Sequence, residues 1–391
     1  MLRIPLTILA LYASILSAFS QGSDTTRYED RKLKVDEVNF VSSYYRQDGN
    51  NAAVTGGVGS EKLTDFATTI DVHLLKTDRK HRVNTYTFEL GIDTYTSASS
   101  DKIDPATVSS ASSGDQRIYP SIVWSRLNET KGSTIGANFS VSSEYDYFSL
   151  GGGINAFKDS KDKSRQLGVR LQTFQDVVTL IYPIEQRAGK KGGTEARNTY
   201  SATLSWSQIV NTRLQLLFLL DFAYQKGFLS LPFNRVYFND NTVSIENLPG
   251  SRFKIPASVR LSYFLGDRVV VRAFYRYYQD DWGLKSNTAE IETPIKITPF
   301  FSISPFYRYY NQSAVDYFAA YKQHAVTETH YTSDYDLSKF DSHFIGTGLR
   351  FNSADGILGI GRFNTIEIRY GHYTRQTGLV SNIVSLQAKF K

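Results

Sequence analysis

The chain has 391 residues, a net charge of +6, no Cys and a single Met, and aromatic residues make up 14% of it. The absence of Cys excludes a disulfide framework and a thiolate metal site, and the mild, scattered positive charge gives no support to nucleic-acid binding. The 26 Tyr and 25 Phe favour β-strands, because aromatic side chains fit pleated, half-buried surfaces.

The first twenty residues predict a cleaved export signal. Arg3 supplies a positive start, residues 4–19 are largely apolar, and Ala18 and Ser20 are small residues at the positions that a signal peptidase reads. A permanent membrane anchor would need a longer apolar run. The expected organisation is a signal peptide at 1–20, a periplasmic N-terminal stretch at 21–37 and a barrel at 38–391.

From residue 38 onward, apolar and polar side chains alternate with period two. In 200–207, for example, Tyr, Ala, Leu and Trp alternate with Ser, Thr, Ser and Ser. A strand places neighbouring side chains on opposite faces, so such a segment has one apolar and one polar face. Sixteen segments show this pattern, with lengths close to what a tilted strand needs to cross a bilayer. They are 38–46, 66–76, 82–94, 117–127, 133–143, 147–157, 166–175, 199–209, 213–225, 254–265, 268–279, 287–297, 300–311, 342–352, 362–373 and 380–390.

The links between these segments sort by length. Every second link is a short turn, whereas many of the others are long and polar, namely 47–65, 95–116, 176–198, 226–253 and 312–341. Outer-membrane barrels have short periplasmic turns and long extracellular loops, and a soluble jelly roll would not sort its loops in this way. The predicted fold class is therefore all-β: a transmembrane antiparallel β-barrel of about 16 strands (14–16), with both termini periplasmic.

The sequence Phe-Tyr-Arg-Tyr-Tyr occurs twice, at 274–278 and 306–310. One strand–turn–strand–loop period separates the copies, so they lie on strands that run in the same direction. Tyrosines that share a face with the apolar residues of these strands are predicted to form an aromatic girdle near the outer rim. A ligand-stacking platform is the alternative. The residues concerned are Tyr275, Tyr277, Tyr307 and Tyr309.

Charged residues on the opposite face are predicted to form a ladder inside the lumen. A short turn at 298–300 would set Glu290 opposite Arg308, at the strand spacing of about 4.8 Å. The ladder either fills and stiffens the lumen or forms a constriction that selects charged or polar solutes. Its predicted members are Arg260, Arg272, Arg276, Glu290, Glu292, Arg308, Glu367 and Arg369.

Metal binding and catalysis have weak support. Asp334, Asp336 and Asp341 offer carboxylates to calcium, but their segment lacks the glycine and the distal glutamate of an EF-hand loop. His73 shares the lumenal face with Asp71, and no Ser is an obvious match for any of the six His in the manner of a barrel hydrolase. We therefore predict no metal, no cofactor and no catalysis.

Several long motifs extend along almost the whole chain. They include LKVDEVNF at 33–40, YYRQDGN at 44–50, YQKG at 224–227, FNRVYF at 233–238, ENLP at 246–249, KITPFF at 296–301, TSDYDLSKF at 332–340 and RYGHY at 369–373. These motifs resemble the Bacteroidetes-type outer-membrane family catalogued as domain of unknown function 3570. The resemblance implies an outer-membrane location, brings no catalytic residues, and implies an envelope redox system with a flavin-transferring enzyme and small periplasmic lipoproteins.

In the last segment apolar residues alternate with polar ones, and the segment ends at the aromatic Phe390. This pattern is typical of the C-terminal strand that barrel-assembly machinery recognises, although here Lys391 follows the aromatic residue. The expected partners are this machinery, outer-membrane lipid and, from the resemblance, periplasmic lipoproteins, with no nucleic acid. The predicted function is a passive channel or transporter for a small polar or charged solute. A closed structural or partner-binding barrel is the alternative, and a barrel hydrolase is a remote one.

Overall fold

Fifteen of the sixteen alternating segments each form one strand, and 287–297 forms two, in the computed structural model, which describes residues 32–96, 114–187 and 192–391. The expected signal peptide and most of the N-terminal stretch lie outside the described residues. The strands are β1 (Lys34–Asp48), β2 (Leu63–Thr77), β3 (Val83–Thr96), β4 (Gly114–Asn128), β5 (Ser133–Ser143), β6 (Tyr147–Asp159), β7 (Arg165–Thr179), β8 (Thr194–Asn211), β9 (Leu214–Gly227), β10 (Arg235–Tyr237), β11 (Val243–Ile245), β12 (Ser251–Leu265), β13 (Val269–Asp280), β14 (Lys285–Glu292), β15 (Ile295–Lys296), β16 (Phe301–Gln312), β17 (Phe340–Asn352), β18 (Phe363–Arg375) and β19 (Val380–Phe390).

The strands close into a ring of sixteen positions within the described ranges. Neighbours along the chain pair antiparallel, β14 and β15 share one position, and β1 pairs with β19, so that Val38 lies opposite Phe390. The predicted all-β antiparallel barrel is confirmed. Around the ring, β2 and β3 take the second and third positions, and β12 and β13 take the tenth and eleventh. These two pairs of strands therefore lie on opposite sides of the lumen.

Several observed strands extend beyond the predicted segments. β8 begins at Thr194 rather than at residue 199, and β1 begins at Lys34 rather than at residue 38, so residues 34–37 of the predicted periplasmic stretch 21–37 form part of a strand. The predicted strand 287–297 is interrupted between β14 and β15, because Pro294 has no N–H to donate to the ladder. Thr293 N donates to Pro305 O at 2.9 Å, and Pro294 O accepts from Val270 N at 3.0 Å, so the ring stays closed at the break.

The outer face of the ring is apolar. Large side chains such as Ile154, Leu167 and Ile345 are more than half exposed there, whereas the alternate residues of each strand point into the lumen. An apolar outer belt around a closed ring, which leaves no unpaired backbone edge, is the form in which a β-sheet crosses a bilayer. No helix in the described part of the chain is long and apolar enough to span a membrane.

Five loops at one end of the barrel pack together into a structure that we call the cap. It comprises 49–62, 180–187, 228–250, 281–284 and 313–339, and its end of the barrel is called the cap rim. Bridges join Phe238 to His324 and Asn247 to Tyr331, so the two longest loops form one unit. The cap has its own buried core, which contains Ile181, Phe233, Val236, Phe238, Leu248, Trp282, Leu284 and Val315.

Candidate functional site

The predicted lumenal ladder has its first rung between β14 and β16. Glu290 is the direct register partner of Arg308, and the Arg308 Nε donates to the Glu290 Oε2 at 2.6 Å. The sequence predicted this pairing from the short turn that joins the two strands. Both side chains are partly exposed, which places this ion pair in contact with the space inside the ring.

A second group of charged side chains forms a continuous network further along the same wall. Glu292 accepts from Arg369 Nη2 at 2.9 Å and from Arg272 Nη1 at 3.4 Å. Arg369 also donates from Nη1 to Glu367 at 3.1 Å, and Arg350 Nε donates to the other oxygen of Glu367 at 2.6 Å. The structure therefore brings together four predicted ladder residues and adds Arg350, which the sequence reasoning had missed.

Two arginines of the ladder have no acidic partner among the described residues. Arg260 lies over the ring of Phe274, with its guanidinium carbon 5.7 Å from the ring centre. Arg276 lies between Ser258 and Thr288 in the register of its neighbouring strands. The wall formed by β12 to β18 therefore presents more positive than negative charge to the lumen, and we call it the basic wall.

The lumen beside the basic wall contains space for solvent. The side chains of Arg272, Arg308 and Arg350 are 51%, 46% and 49% exposed, although each points into a closed ring of strands. A cavity of about 710 Å³ lies towards the cap rim. A second cavity of about 430 Å³ lies next to it and shares Glu290 as a lining residue. The arginines therefore face water rather than a packed interior.

The opposite side of the lumen carries an acidic strip, formed by Asp65 and Asp71 of β2 and by Glu89 and Asp93 of β3. Asp71 and Glu89 are direct register partners, and Tyr119 OH donates to Asp93 Oδ1 at 2.9 Å. Because β2 and β3 lie across the ring from β12 and β13, the two charged surfaces face each other. This arrangement sets up an electric field across the lumen.

The cap bridges the mouth of the barrel at the cap rim. Loop 49–62 joins the first and second strands of the ring, and loop 228–250 joins the ninth and tenth, so they start from opposite sides. Nevertheless, Arg235 Nη1 donates to Val54 O at 2.6 Å. Arg235 also pairs with Glu185, with Nε 2.5 Å from Oε1. Three loops from separate parts of the rim therefore meet at one buried guanidinium.

Arg375, at the end of β18, fastens the cap to the barrel wall. Its Nη1 lies 2.5 Å from Asp336 Oδ1 and its Nη2 lies 3.7 Å from Glu61 Oε1, so it contacts two different cap loops. Its guanidinium also lies over the ring of Phe340 at 4.9 Å. The Arg375 side chain is only 4% exposed, so its guanidinium lies between the barrel wall and the cap.

The cap contains two buried carboxyl groups, those of Glu246 and Asp334. Burial raises the pKa of Glu246, and hydrogen bonds from Thr332 and the Leu231 N–H offset this only in part. Burial also raises the pKa of Asp334, and the nearby carboxylates of Asp336 and Glu246 raise it further. Both groups are therefore harder to ionise in the closed cap than in water.

The three Asp residues that offered calcium ligands in the sequence have separate roles. Asp334 Oδ1 accepts from the Asp336 N–H at 2.9 Å and caps a 3₁₀ turn at Tyr335–Leu337. Asp336 pairs with Arg375, and Asp341 lies in β17. Among the described residues, the three do not form a group that could hold one ion.

His73 is joined to two lumenal partners, one of which the sequence reasoning had missed. Its Nε2 lies 2.8 Å from Asp71 Oδ2, and its Nδ1 lies 2.9 Å from Thr87 Oγ1. This order resembles a hydrolytic triad, but the backbone N–H groups of β2 and β3 belong to the strand ladder, so they are not free to stabilise an oxyanion. The array is a polar contact between neighbouring strands.

The tyrosines of the predicted girdle lie on the outer face. Tyr275 and Tyr307 are 46% and 39% exposed. Tyr307 OH lies 2.8 Å from His343 Nδ1, and Tyr309 packs against the same imidazole. Tyr275 and Tyr277 also border an apolar groove of about 870 Å³ on the outer surface. The groove lies on the face that the apolar belt assigns to lipid, away from the charged lumen.

Comparison with known families gives one match over most of the chain. Residues 8–382 match the family described as "Protein of unknown function (DUF3570)". The chain belongs to this family. No curated protein matches it.

Solved structures with similar folds are outer-membrane proteins of low sequence identity. A BenF-like porin from Pseudomonas fluorescens Pf-5 is 10% identical, covering 92% of this chain and 98% of its own, with a TM-score of 0.46. A bacterial polysaccharide outer membrane secretin is 12% identical (91% and 97% covered, TM-score 0.44). The outer membrane protein opdK from Pseudomonas aeruginosa is 8% identical (92% and 99%, TM-score 0.42). Because the identities and TM-scores are this low, no residue role can be transferred from these proteins to this chain.

Proposed function

We propose that this chain is an outer-membrane channel that passes small anionic or polar solutes and carries out no catalysis. The observation that supports this best is the solvent exposure of Arg272, Arg308 and Arg350 inside a closed ring. Ionised side chains are costly to bury in a packed lumen even when they are paired, so exposed lumenal arginines favour a water-filled path. The apolar belt supports a location in a membrane.

The charge distribution supports a preference for anions and for solutes with a dipole. Arg260 and Arg276 lack acidic partners among the described residues, so they are available to a passing anion. The acidic strip on the opposite side would repel an anion towards the basic wall and would orient a zwitterion across the lumen. Charged rings and walls of this kind set the selectivity of membrane pores.

A closed, partner-binding barrel is the second candidate, and the cap is the observation that favours it. Loops from opposite sides of the rim meet at Arg235, so the cap bridges the mouth. Both candidate functions are compatible with a cap that closes the mouth in one conformation and opens in another. They differ in whether any conformation conducts solute.

Swelling of proteoliposomes tests the proposal. Liposomes that contain the purified protein are diluted into isosmotic gluconate, glucose or glucosamine, which are similar in size and differ in charge. We expect swelling to be fastest with gluconate and slowest with glucosamine, and to be slower with gluconate in Arg276→Glu than in wild type. Folded protein that gives no swelling with any of the three, in wild type or with the cap loosened, would support the closed barrel instead.

A further inference from the structure

Three carboxylates that the channel does not use meet at the cap rim, away from the basic wall. Asp115 lies at the start of β4, and Glu144 and Asp146 form the turn between β5 and β6. One carboxylate oxygen from each residue lies within 4.8 Å of the corresponding oxygens of the other two. Oxygens bound to one Ca²⁺ at about 2.4 Å are separated by at most about 4.8 Å. The spacing therefore fits ligands of a single ion.

The Asp115 side chain gives a second, separate indication that a ligand belongs here. Asp115 is only 7% exposed. Its Oδ1 accepts from the Gln116 N–H at 2.7 Å, and the Tyr145 N–H lies near the carboxylate, but no residue in the described ranges makes a hydrogen bond of good geometry to its buried Oδ2. A buried carboxylate oxygen without a partner is costly, because it has lost water and gained no donor. A cation would satisfy it.

The surroundings leave the three carboxylates under-neutralised. Arg117 Nε lies 3.6 Å from Glu144 Oε1, but the same atom donates to Ser142 Oγ at 2.9 Å. Tyr95 OH donates to Glu144 Oε2 at 2.6 Å, which orients this carboxylate without cancelling its charge. Burial, together with the charges of Asp115 and Glu144, raises the pKa of Asp146 to about 6. Among the described residues, the three acids therefore have one arginine, Arg117, as a cation partner.

We propose that Asp115, Glu144 and Asp146 bind one Ca²⁺ at the cap rim, with water completing the coordination. The ligands are all oxygens, and they come from the start of β4 and from the turn between β5 and β6. Such an irregular set suits Ca²⁺, which accepts six to eight oxygen ligands in flexible geometry, better than Mg²⁺, which requires a near-ideal octahedron. The ion would tie the β5–β6 turn to the start of β4. This site is independent of the proposed channel.

Terbium luminescence tests the site in the full-length protein. Tb³⁺ replaces Ca²⁺ at oxygen sites, and Tyr95, hydrogen-bonded to Glu144, would sensitise its emission. We expect EDTA-treated wild-type protein to bind Tb³⁺ and to release it on addition of Ca²⁺. We expect Asp146→Asn and Asp115→Asn to weaken binding at least tenfold. The matched control is Asp162→Asn, whose carboxylate is held by Ser160 and Ser164 in a turn at the other rim, and it should bind as wild type does.

Thermal unfolding separates a lost site from a misfolded variant. Without divalent cations, Asp146→Asn should be at least as stable as wild type, because it removes repulsion between carboxylates. Added Ca²⁺ should raise the melting temperature of wild type and leave that of Asp146→Asn unchanged. The proposal is overturned if folded wild-type protein does not bind Tb³⁺ or Ca²⁺ at millimolar concentration. It is also overturned if Asp146→Asn and Asp115→Asn bind as tightly as Asp162→Asn.

Discussion

Arg308 and Glu290 are held in direct register across β14 and β16, with Nε and Oε2 2.6 Å apart. Both side chains point into the lumen, where water still reaches them. Their ion pair leaves Arg276, one rung nearer the cap, without an acidic partner among the described residues. The charge that a solute meets on this wall is therefore set largely by unpaired arginines.

Replacing Arg276 by Glu should reduce the preference of the channel for anions. The substitution changes the charge of the basic wall by two units without removing an existing ion pair. In a salt gradient across a planar bilayer, we expect the reversal potential of Arg276→Glu to shift towards the cation side relative to wild type. Arg308→Glu should shift it in the same direction, with some loss of stability because Glu290 then faces a second carboxylate.

Arg213→Glu is the matched control, because this arginine lies in the turn between β8 and β9 rather than on the basic wall. It should leave the reversal potential within experimental error of wild type. An equal shift in Arg213→Glu and Arg276→Glu would mean that overall charge, and not the basic wall, determines selectivity.

Neighbouring residues of β8 should differ in how much stability the same substitution costs. Leu204 is 45% exposed on the apolar outer face, whereas Thr203 points into the lumen and donates to Asp221 Oδ1 at 2.5 Å. Leu204→Arg should cost about 2–4 kcal/mol in lipid if it lies near the bilayer midplane. Thr203→Arg should cost much less, since Asp221 can pair with it. Urea unfolding in lipid vesicles measures both, and equal losses would contradict the assigned facing.

Removing the Arg375 guanidinium should loosen the cap while the barrel stays folded. Arg375→Ala leaves Glu61 and Asp336 without their cation and removes the contacts that Arg375 makes to two cap loops. Trypsin cleavage after Arg235, whose side chain is 3% exposed in the closed cap, reports opening. We expect this cleavage to be at least tenfold faster in Arg375→Ala than in wild type or Arg213→Ala. An unchanged rate would mean that Arg375 does not fasten the cap.

The cap should close more tightly at acidic pH. Burial raises the pKa of Glu246 and Asp334 above ordinary carboxyl values. Because the pKa of each group is higher in the closed cap than in the open one, each stabilises the closed cap fully at a pH below the ordinary carboxyl pKa. This stabilisation is lost as the pH rises through the raised pKa of the closed cap. Channel opening should therefore increase as the pH rises above the ordinary carboxyl range. Glu246→Gln should flatten this dependence, and Asp240→Asn, in an exposed turn, should not.

The strands were predictable because one physical pattern, apolar towards lipid and polar towards water, repeats in every one of them. Where a turn is short, it also fixes register, which is why the pairing of Glu290 with Arg308 followed from the sequence. The link 353–362 between β17 and β18 is too long to fix the register of these two strands. The pairing of Arg350 with Glu367 consequently required the structure.

The cap was beyond prediction for a different reason. Its loops have no periodicity, and the contact between Arg235 and Val54 joins residues 181 positions apart. Nothing local in either segment specifies that contact. The carboxylate cluster is similar, since Asp115 approaches Glu144 only through the packing of β4 against β5. Sequence spacing instead pointed to Asp334, Asp336 and Asp341, which the cap uses for other contacts.

Single-channel recording in planar bilayers tests the proposed channel most directly. The measurement compares wild type with Arg375→Ala, each shown to be folded by its heat-modifiable mobility on a gel. We expect discrete current steps that favour anions, with a larger open fraction in Arg375→Ala because its cap is loosened. Folded protein that gives no current steps in either form would contradict a water-filled path through the lumen.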